Sequence, residues 1–200
     1  IQFTAPTPVG NAPERTPLGV KYGDNSGSSS NSSPYFDITT DFTVVFWIYI
    51  LKVDQNSYLF AKHNFTDGVP NLGLKVYNGR LRMRIRRNDL TIDYSTTSAS
   101  FPDIYDYGWN VVSWSKSGTT VTMRAIKRFQ TLYSEDFTSI SNIRPVSHAT
   151  IGANRNSTDL DGSFMGIINT MWWTDNVYDD ATFMINFSFP PNSTCALLYC

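Results

Sequence analysis

Glutamate is almost missing from this chain: of 200 residues, only Glu14 and Glu135 carry that side chain. Glycoside cleavage needs two carboxyl groups flanking one bond at roughly 5 to 10 Å, but Glu14 lies in a proline-rich stretch far from Glu135. The two glutamates stand on different segments and form no pair on one strand. Aspartates would have to serve instead, as Asp159 with Asp161 or Asp179 with Asp180, and neighbouring aspartates at turns are more often caps or metal ligands. Histidine is equally scarce. His63 and His148 belong to no Ser-His-Asp arrangement, no H-E-x-x-H helix and no nucleophile elbow, and they read as structural residues. Cys195 and Cys200, the only cysteines, stand in the last six residues as C-x4-C. In an oxidising compartment they close a small terminal loop or bond elsewhere in a longer chain. Neither is placed as a nucleophile. The expectation is a protein that is not an enzyme.

Long apolar runs are absent too. The longest, "VVFWIYIL" at 44–51, falls far short of the roughly 20 residues of a membrane-spanning helix, so no direct membrane insertion is expected. Charge is sparse at 16%, against about 25% in ordinary soluble domains. With a net charge of -1, nothing draws the whole molecule to nucleic acid, and any basic contact must be local. The chain opens on Ile1 with no initiator Met and no signal-like segment, which suits a mature secreted product or an excised piece.

What is present is polar and aromatic. Five N-x-S/T sequons begin at Asn31, Asn64, Asn156, Asn186 and Asn192, and so many favour a secreted or cell-surface glycoprotein. A hydrophobic fraction of 41%, with 14% aromatics, is that of one folded domain. Residues 1–17, with four prolines, read as an extended arm; 18–189 form the domain; 190–200 form a tail carrying the cysteine pair.

Strand alternation dominates the domain. In "DFTVVFWIYI", Phe42, Val44, Phe46, Ile48 and Ile50 share one face and Thr43, Val45, Trp47 and Tyr49 the other. Both faces are bulky, which predicts a central strand covered on its second side or lining a groove. "LGLKVYNGRLRMRIRRNDLTIDY" reads as a hairpin series turning at Asn78-Gly79 and Asn88-Asp89. "WNVVSWSKSGTTVTMRAIK" repeats the scheme around its own glycine turn, and "HATIGAN" and "ATFMINFSF" are read as further strands. Many short strands between polar turns predict an all-β sandwich.

Three features carry chemistry. Lys75, Arg80, Arg82, Arg84, Arg86 and Arg87 gather six of the sixteen basic residues in one hairpin, and Arg82, Arg84 and Arg86 share a strand face. Such a stripe suits sulfated or carboxylated glycans, because each guanidinium forms paired hydrogen bonds with an oxyanion. It equally suits a solvated or ion-paired edge. Trp47, Tyr49 and Trp172 are candidates for stacking on sugar rings, or for burial under loops. In "NRNSTDLDG", Asp159 and Asp161 precede Gly162 at a spacing that lets a turn aim two hard oxygens at Ca2+, or form an ordinary Asx turn. No cofactor is required by anything in the sequence.

In order, "FTVVFWIYI", "LFAK", "LGLKVYNGRLRMRI", "YGWNVVSWSKSGTTVTM", "ATIGAN" and "FMGIINTMWW" resemble the laminin-G-like and pentraxin-like domains of the concanavalin A-like lectin/glucanase superfamily. Asn110 stands where that pattern usually has histidine. The resemblance implies two antiparallel sheets in a jelly-roll sandwich with first and last strands adjacent. It also implies a turn or helix at "DNVYDDATF" before the last strand, and raises the expectation of calcium at Asp159 and Asp161. Its hydrolases carry paired glutamates on one strand, which this chain lacks. Within the pattern Ile168, Met171 and Trp173 take buried positions, with an irregularity near Asn169 and Thr170. Trp172 then points outward and must be covered by a loop, a glycan or a neighbouring chain. The expected function is a noncatalytic extracellular binding or adhesion module for a glycan or glycoprotein. The alternative is a structural subunit of an extracellular assembly whose arm and tail meet copies of itself.

Overall fold

The computed structural model describes residues 20–22, 36, 38–51, 56–63, 69–104, 108–128, 130–138, 143–144, 148–152, 154–155, 160–162, 164–188 and 198–199. Its strands are β1 (Val20–Tyr22), β2 (Phe42–Ile50), β3 (Asn56–His63), β4 (Pro70–Tyr77), β5 (Arg80–Arg86), β6 (Ile92–Thr96) and β7 (Trp109–Ser117). There follow β8 (Thr120–Lys127), β9 (Thr131–Phe137), β10 (His148–Ile151), β11 (Asn154–Arg155), β12 (Leu160–Asp161), β13 (Gly166–Thr174) and β14 (Leu198–Tyr199), with helix α1 (Asp180–Phe187) between the last two. Two six-stranded sheets stack, one in the order β1-β10-β3-β4-β5-β6 and the other β14-β13-β2-β7-β8-β9. Every pairing is antiparallel except that of β14, which runs parallel to β13. This is the expected all-β jelly-roll sandwich.

The core between the sheets is built by alternation. Phe42, Val44, Phe46, Ile48 and Ile50 of β2 meet Leu72, Leu74 and Val76 of β4 and Leu81, Met83 and Ile85 of β5 in one buried cluster. Trp114 is fully buried there beside Phe46, and Trp173, 4% exposed, stacks on Phe42 at 4.6 Å. The irregularity expected in β13 lies where Ile168 pairs with Ile48 but Thr170 pairs with Trp47. Asn169 is the extra residue of a bulge, which restores Met171 and Trp173 to the core face.

Two expectations need correction. "ATFMINFSF", read as a strand, is mostly the helix α1. Asp179 caps it: its Oδ1 accepts from the Thr182 backbone N–H at 2.7 Å, satisfying one of the orphan donors of the first turn. Phe183 and Phe187, four apart, then fall on one buried side. The first strand also does not neighbour the last: β1 pairs with β10, whereas β13 lies against β2 in the other sheet.

α1 covers the outer face of the β2–β7–β8 sheet. Val45, Trp47, Val111 and Ile126 from the strands and Phe183 and Phe187 from the helix form a second buried cluster, flanked by Leu132, Trp172, Tyr178 and Met184. Burying each phenylalanine contributes roughly 1.5–3 kcal/mol. Arg124, 5% exposed, ties helix to sheet. Its Nε donates to Asp180 at 2.7 Å, Nη2 to the Tyr178 carbonyl at 2.9 Å and Nη1 to Ser115 Oγ at 3.1 Å, while its Cζ lies 5.4 Å from the Phe183 ring centroid. A guanidinium taken from water needs this many partners.

Candidate functional site on the outer face of the β3–β6 sheet

The other sheet turns outward a face of different chemistry. Asn78 and Gly79 join β4 to β5 with φ of 47° and 73°, the left-handed pair that a two-residue hairpin turn requires. A Cβ on Gly79 would stand 2.3 Å from Asp103 Oδ1. Glycine is therefore demanded twice, by conformation and by space. The turn fixes the register: Lys75 opposes Arg82 and Gly73 opposes Arg84 on one flank of β5, while Thr96 opposes Arg82 and Tyr94 opposes Arg84 on the other. Leu81, Met83 and Ile85 point to the core and Arg80, Arg82, Arg84 and Arg86 point out, half-buried.

Between the guanidinium groups lie tyrosines. Arg82 Cζ is 4.4 Å from the centroid of Tyr77 and 4.2 Å from that of Tyr94, and Arg84 Cζ is 5.8 Å from Tyr94. Tyr77 and Tyr94 are the diagonal neighbours of Arg82 on its two flanking strands, within the reach expected of long side chains. Lys75 donates to Asn56 Oδ1 at 2.8 Å and stands 4.9 Å from the Tyr58 centroid. Tyr58 in turn lies over Gly73, where a Cβ would meet its ring at 2.6 Å. These contacts hold cations over ring faces, each contributing about 0.5–1 kcal/mol near the surface.

The cations divide into spent and available. Arg80 donates to the Ser98 and Phe101 carbonyls, and Arg87 pairs with Asp93. Arg82 and Arg84 have buried Nε atoms with no hydrogen bond, and neither makes an ion pair with a described residue. In the register, no carboxylate of β3–β6 shares this face among the described residues, since Asp93 opposes Ile85 on the opposite alternation. Among the described residues, positive charge is thus left uncompensated here. At the β5–β6 turn, Asp89 accepts from the Thr91 hydroxyl at 2.6 Å and the Thr91 backbone N–H at 3.0 Å. Those bonds, the hydroxyl first, hold its carboxyl below the usual range.

The other candidates separate from this face. Trp47, 7% exposed, is packed in the second core 5.7 Å from Phe187. Trp172 points out of the sandwich and is half-buried against Phe187 at 4.7 Å and Tyr178 at 5.8 Å. Its cover is this chain's own loop and helix. Tyr49 is half-buried edge-on to Trp109 at 5.7 Å. Asp159 lies outside the described residues, and Asp161 pairs with Asn154 in β12. Among the described residues, no three metal-ligating side chains cluster. Of the sequons, Asn186 is exposed on α1, donating from Nδ2 to the Thr182 carbonyl at 2.8 Å. Asn31, Asn64, Asn156 and Asn192, with Cys195 and Cys200, lie outside the described residues. Sequence reasoning missed Tyr77 and Tyr94, although the hairpin register sets each directly opposite an arginine, Tyr77 against Arg80 and Tyr94 against Arg84.

No family model matches the sequence, and no curated protein matches it. Solved structures do. The CBM40 module of the Ruminococcus gnavus IT-sialidase is 18% identical, with 74% of this chain covering 83% of that one at a TM-score of 0.58. The leech intramolecular trans-sialidase is 17% identical, with 88% of this chain covering 26% of that one at 0.63. Domains LG4-5 of the mouse laminin alpha1 chain are 11% identical, with 80% covering 42% at 0.51. No helix among the described residues is long and apolar enough to cross a membrane. At these identities the likeness speaks to architecture, and on it the chain has the concanavalin A-like jelly-roll fold.

Proposed function

We propose that this chain is a noncatalytic extracellular glycan-binding module whose ligand lies on the outer face of the β3–β6 sheet. The observation that carries the reading is the pair of half-buried arginines Arg82 and Arg84 beside Tyr77 and Tyr94, their Nε atoms without a hydrogen bond and neither in an ion pair with a described residue. Aromatic faces pack on sugar C–H groups, and guanidinium forks donate paired hydrogen bonds to their oxyanions. The CBM40 module of similar fold is known in complexes with α2,6- and α2,3-sialyllactose, which supports a glycan as the partner class. Arg86 extends the same stripe, and Tyr49 stands outside it. Calcium, if taken up at Asp159 and Asp161, would brace the turn before Gly162, which lies against β3 through the Tyr58 N–H to Gly162 carbonyl bond of 2.8 Å. Binding on the arginine face does not require it.

A second reading, a structural subunit of an extracellular assembly, draws on the exposed Ile92 and Tyr94 of edge strand β6 and on the exposed Leu90 in the turn before it. Edges of that kind invite pairing with another chain. A glycan array run beside size-exclusion chromatography separates the two. Hits from a monomer, abolished by Arg82→Glu with Arg84→Glu, are expected; a silent array with self-association would replace the first reading by the second.

A further inference from the structure

The outward side of α1 is short of charge. Asp180 stands in the first turn, and residues 181–187, the rest of the helix, carry none. With Phe183 and Phe187 turned to the sheet, Ala181, Thr182, Ile185 and Asn186 face out, and Ile185 at 72% is the most exposed large apolar side chain among the described residues. A surface helix ordinarily meets water with charged groups. Asn186 begins the triplet Asn186-Phe187-Ser188, the one sequon of the five whose asparagine lies among the described residues. We propose that Asn186 carries an N-linked glycan, attached before α1 closes on the sheet, and that this bulky, solubilising group covers the outward side of the helix.

The order of events follows from the helix. Transfer joins the asparagine Nδ2 to the anomeric carbon of a donor, an oligosaccharide held through pyrophosphate on a lipid. The anomeric C–O bond breaks, the lipid pyrophosphate leaves, and Nδ2 gives up one proton to a base of the transferase. That enzyme takes the asparagine amide and the hydroxyl two residues on into one site. In a helix, side chains two apart point roughly 200° apart around the axis and do not face each other. Ser188 is held in helical geometry, its backbone N–H donating to the Met184 carbonyl at 3.1 Å. Phe187, the middle residue, is 4% exposed among Trp47, Trp172 and Phe183. Asn186 Nδ2 itself donates to the Thr182 carbonyl at 2.8 Å. The closed helix thus withholds amide, middle residue and hydroxyl from a common site, yet leaves Asn186 exposed, with room for a sugar already attached. Such a sugar stands on the sheet opposite Arg82 and Arg84 and leaves their face open.

This inference rests on the extracellular part of the proposed function, and its test keeps the two failures apart. The full chain is expressed in insect cells behind a cleavable secretion signal, and occupancy of Asn186 is read by peptide mass spectrometry on every signal-cleaved chain. Sugar at Asn186, lost in Ser188→Ala and kept in Ser188→Thr, is expected; an empty Asn186 would overturn the site. The order is tested on sugar-free full chain, folded and then offered solubilised oligosaccharyltransferase with its lipid-linked donor. Modification of Asn186 is expected to be at least roughly tenfold slower than in Phe183→Ala, whose loosened α1 opens more often. Equal rates would overturn the order and leave the site. For the cover, Asn186→Gln should be held longer on a phenyl column, and adding Ile185→Ser should reverse this; unchanged retention would remove the cover. Glycan-array binding by Asn186→Gln should match that of the unaltered chain, so a silent array with Asn186 occupied would discard the ligand face alone.

Discussion

The two sheets are built by the same alternation, yet their outer faces meet different fates. On β2, β7 and β8 the outward residues include Val45, Trp47, Val111 and Ile126, and α1 lies over them. On β4, β5 and β6 the outward residues include Lys75, Tyr77, Arg82, Arg84 and Tyr94, and no element lies over Arg82 or Arg84 among the described residues. An apolar face left in water loses roughly 25 cal/mol for each Å² it exposes, so it recruits cover. A guanidinium is at home half in water, and the ring beside it stays at the surface with it. An aromatic residue on a strand therefore becomes core or platform according to its cross-strand neighbours. Trp47 has Val111 opposite it on β7 and Val45 beside it on its own strand; Tyr94 has Arg84 opposite it and Arg82 on the diagonal.

The contrast is broken most forcefully by removing the cover. Phe183 is fully buried between α1 and the sheet, 4.8 Å from Phe187. Phe183→Ala is expected to cost about 3–5 kcal/mol, the range for a buried phenylalanine, measured as a shift in urea midpoint at constant slope. Trp47 and Trp172 fluorescence should move to the red as the helix loosens. A loss below about 1 kcal/mol would mean that α1 contributes little to covering that face. Glycan binding by the still-folded variant should persist, because the proposed site lies on the opposite sheet.

The sandwich was legible because alternation, Asn-Gly and glycine turns are local signals, and β2, β5 and β7 obey them. The bulge in β13 was legible through the spacing of Ile168, Met171 and Trp173. α1 was not, since F-M-I-N-F reads as alternation as easily as an i, i+4 pair. The deciding signal was the cap at Asp179, three residues before the Thr182 N–H it accepts. The arginine stripe was visible, but its meaning depends on which residues oppose it. Register across three strands is a property of the fold, which is why Tyr77 and Tyr94 were overlooked while the more conspicuous Trp47 and Trp172 were put forward.

On the bare face, the same kind of deletion should cost less stability. Arg82→Ala removes two cation–ring contacts of about 0.5–1 kcal/mol each, so a loss of about 1–2 kcal/mol is expected. Arg84→Ala, with one longer contact, should cost less. Both should abolish binding of the anionic glycan. A double-mutant cycle of Arg82→Ala with Tyr94→Leu locates the interaction in the ring pair. Losses as large as that of Phe183→Ala would make the stripe structural and erase the distinction between the faces.

The smallest effect sharpens how the cover is fastened. The Thr182 backbone N–H, and after it the Thr182 side chain, hold the Asp179 carboxyl below the ordinary value of 3.8. A carboxyl whose folded value lies below its unfolded one stabilises the fold fully above the unfolded value and loses that contribution as pH falls through the folded value. Acidification below about 3.8 should therefore loosen α1 before the core. Asp179→Asn keeps an oxygen acceptor at a position where asparagine caps well, and should flatten this part of the acid limb at little cost near neutral pH. Asp179→Ala should lower stability near neutral pH as well and also remove the pH dependence. Helical circular dichroism followed from pH 6 to pH 2 separates the three proteins. An unchanged acid limb in Asp179→Asn would show that the helix is held by Phe183, Phe187 and Arg124 alone, and that its cap steers the chain into the helix without fastening it.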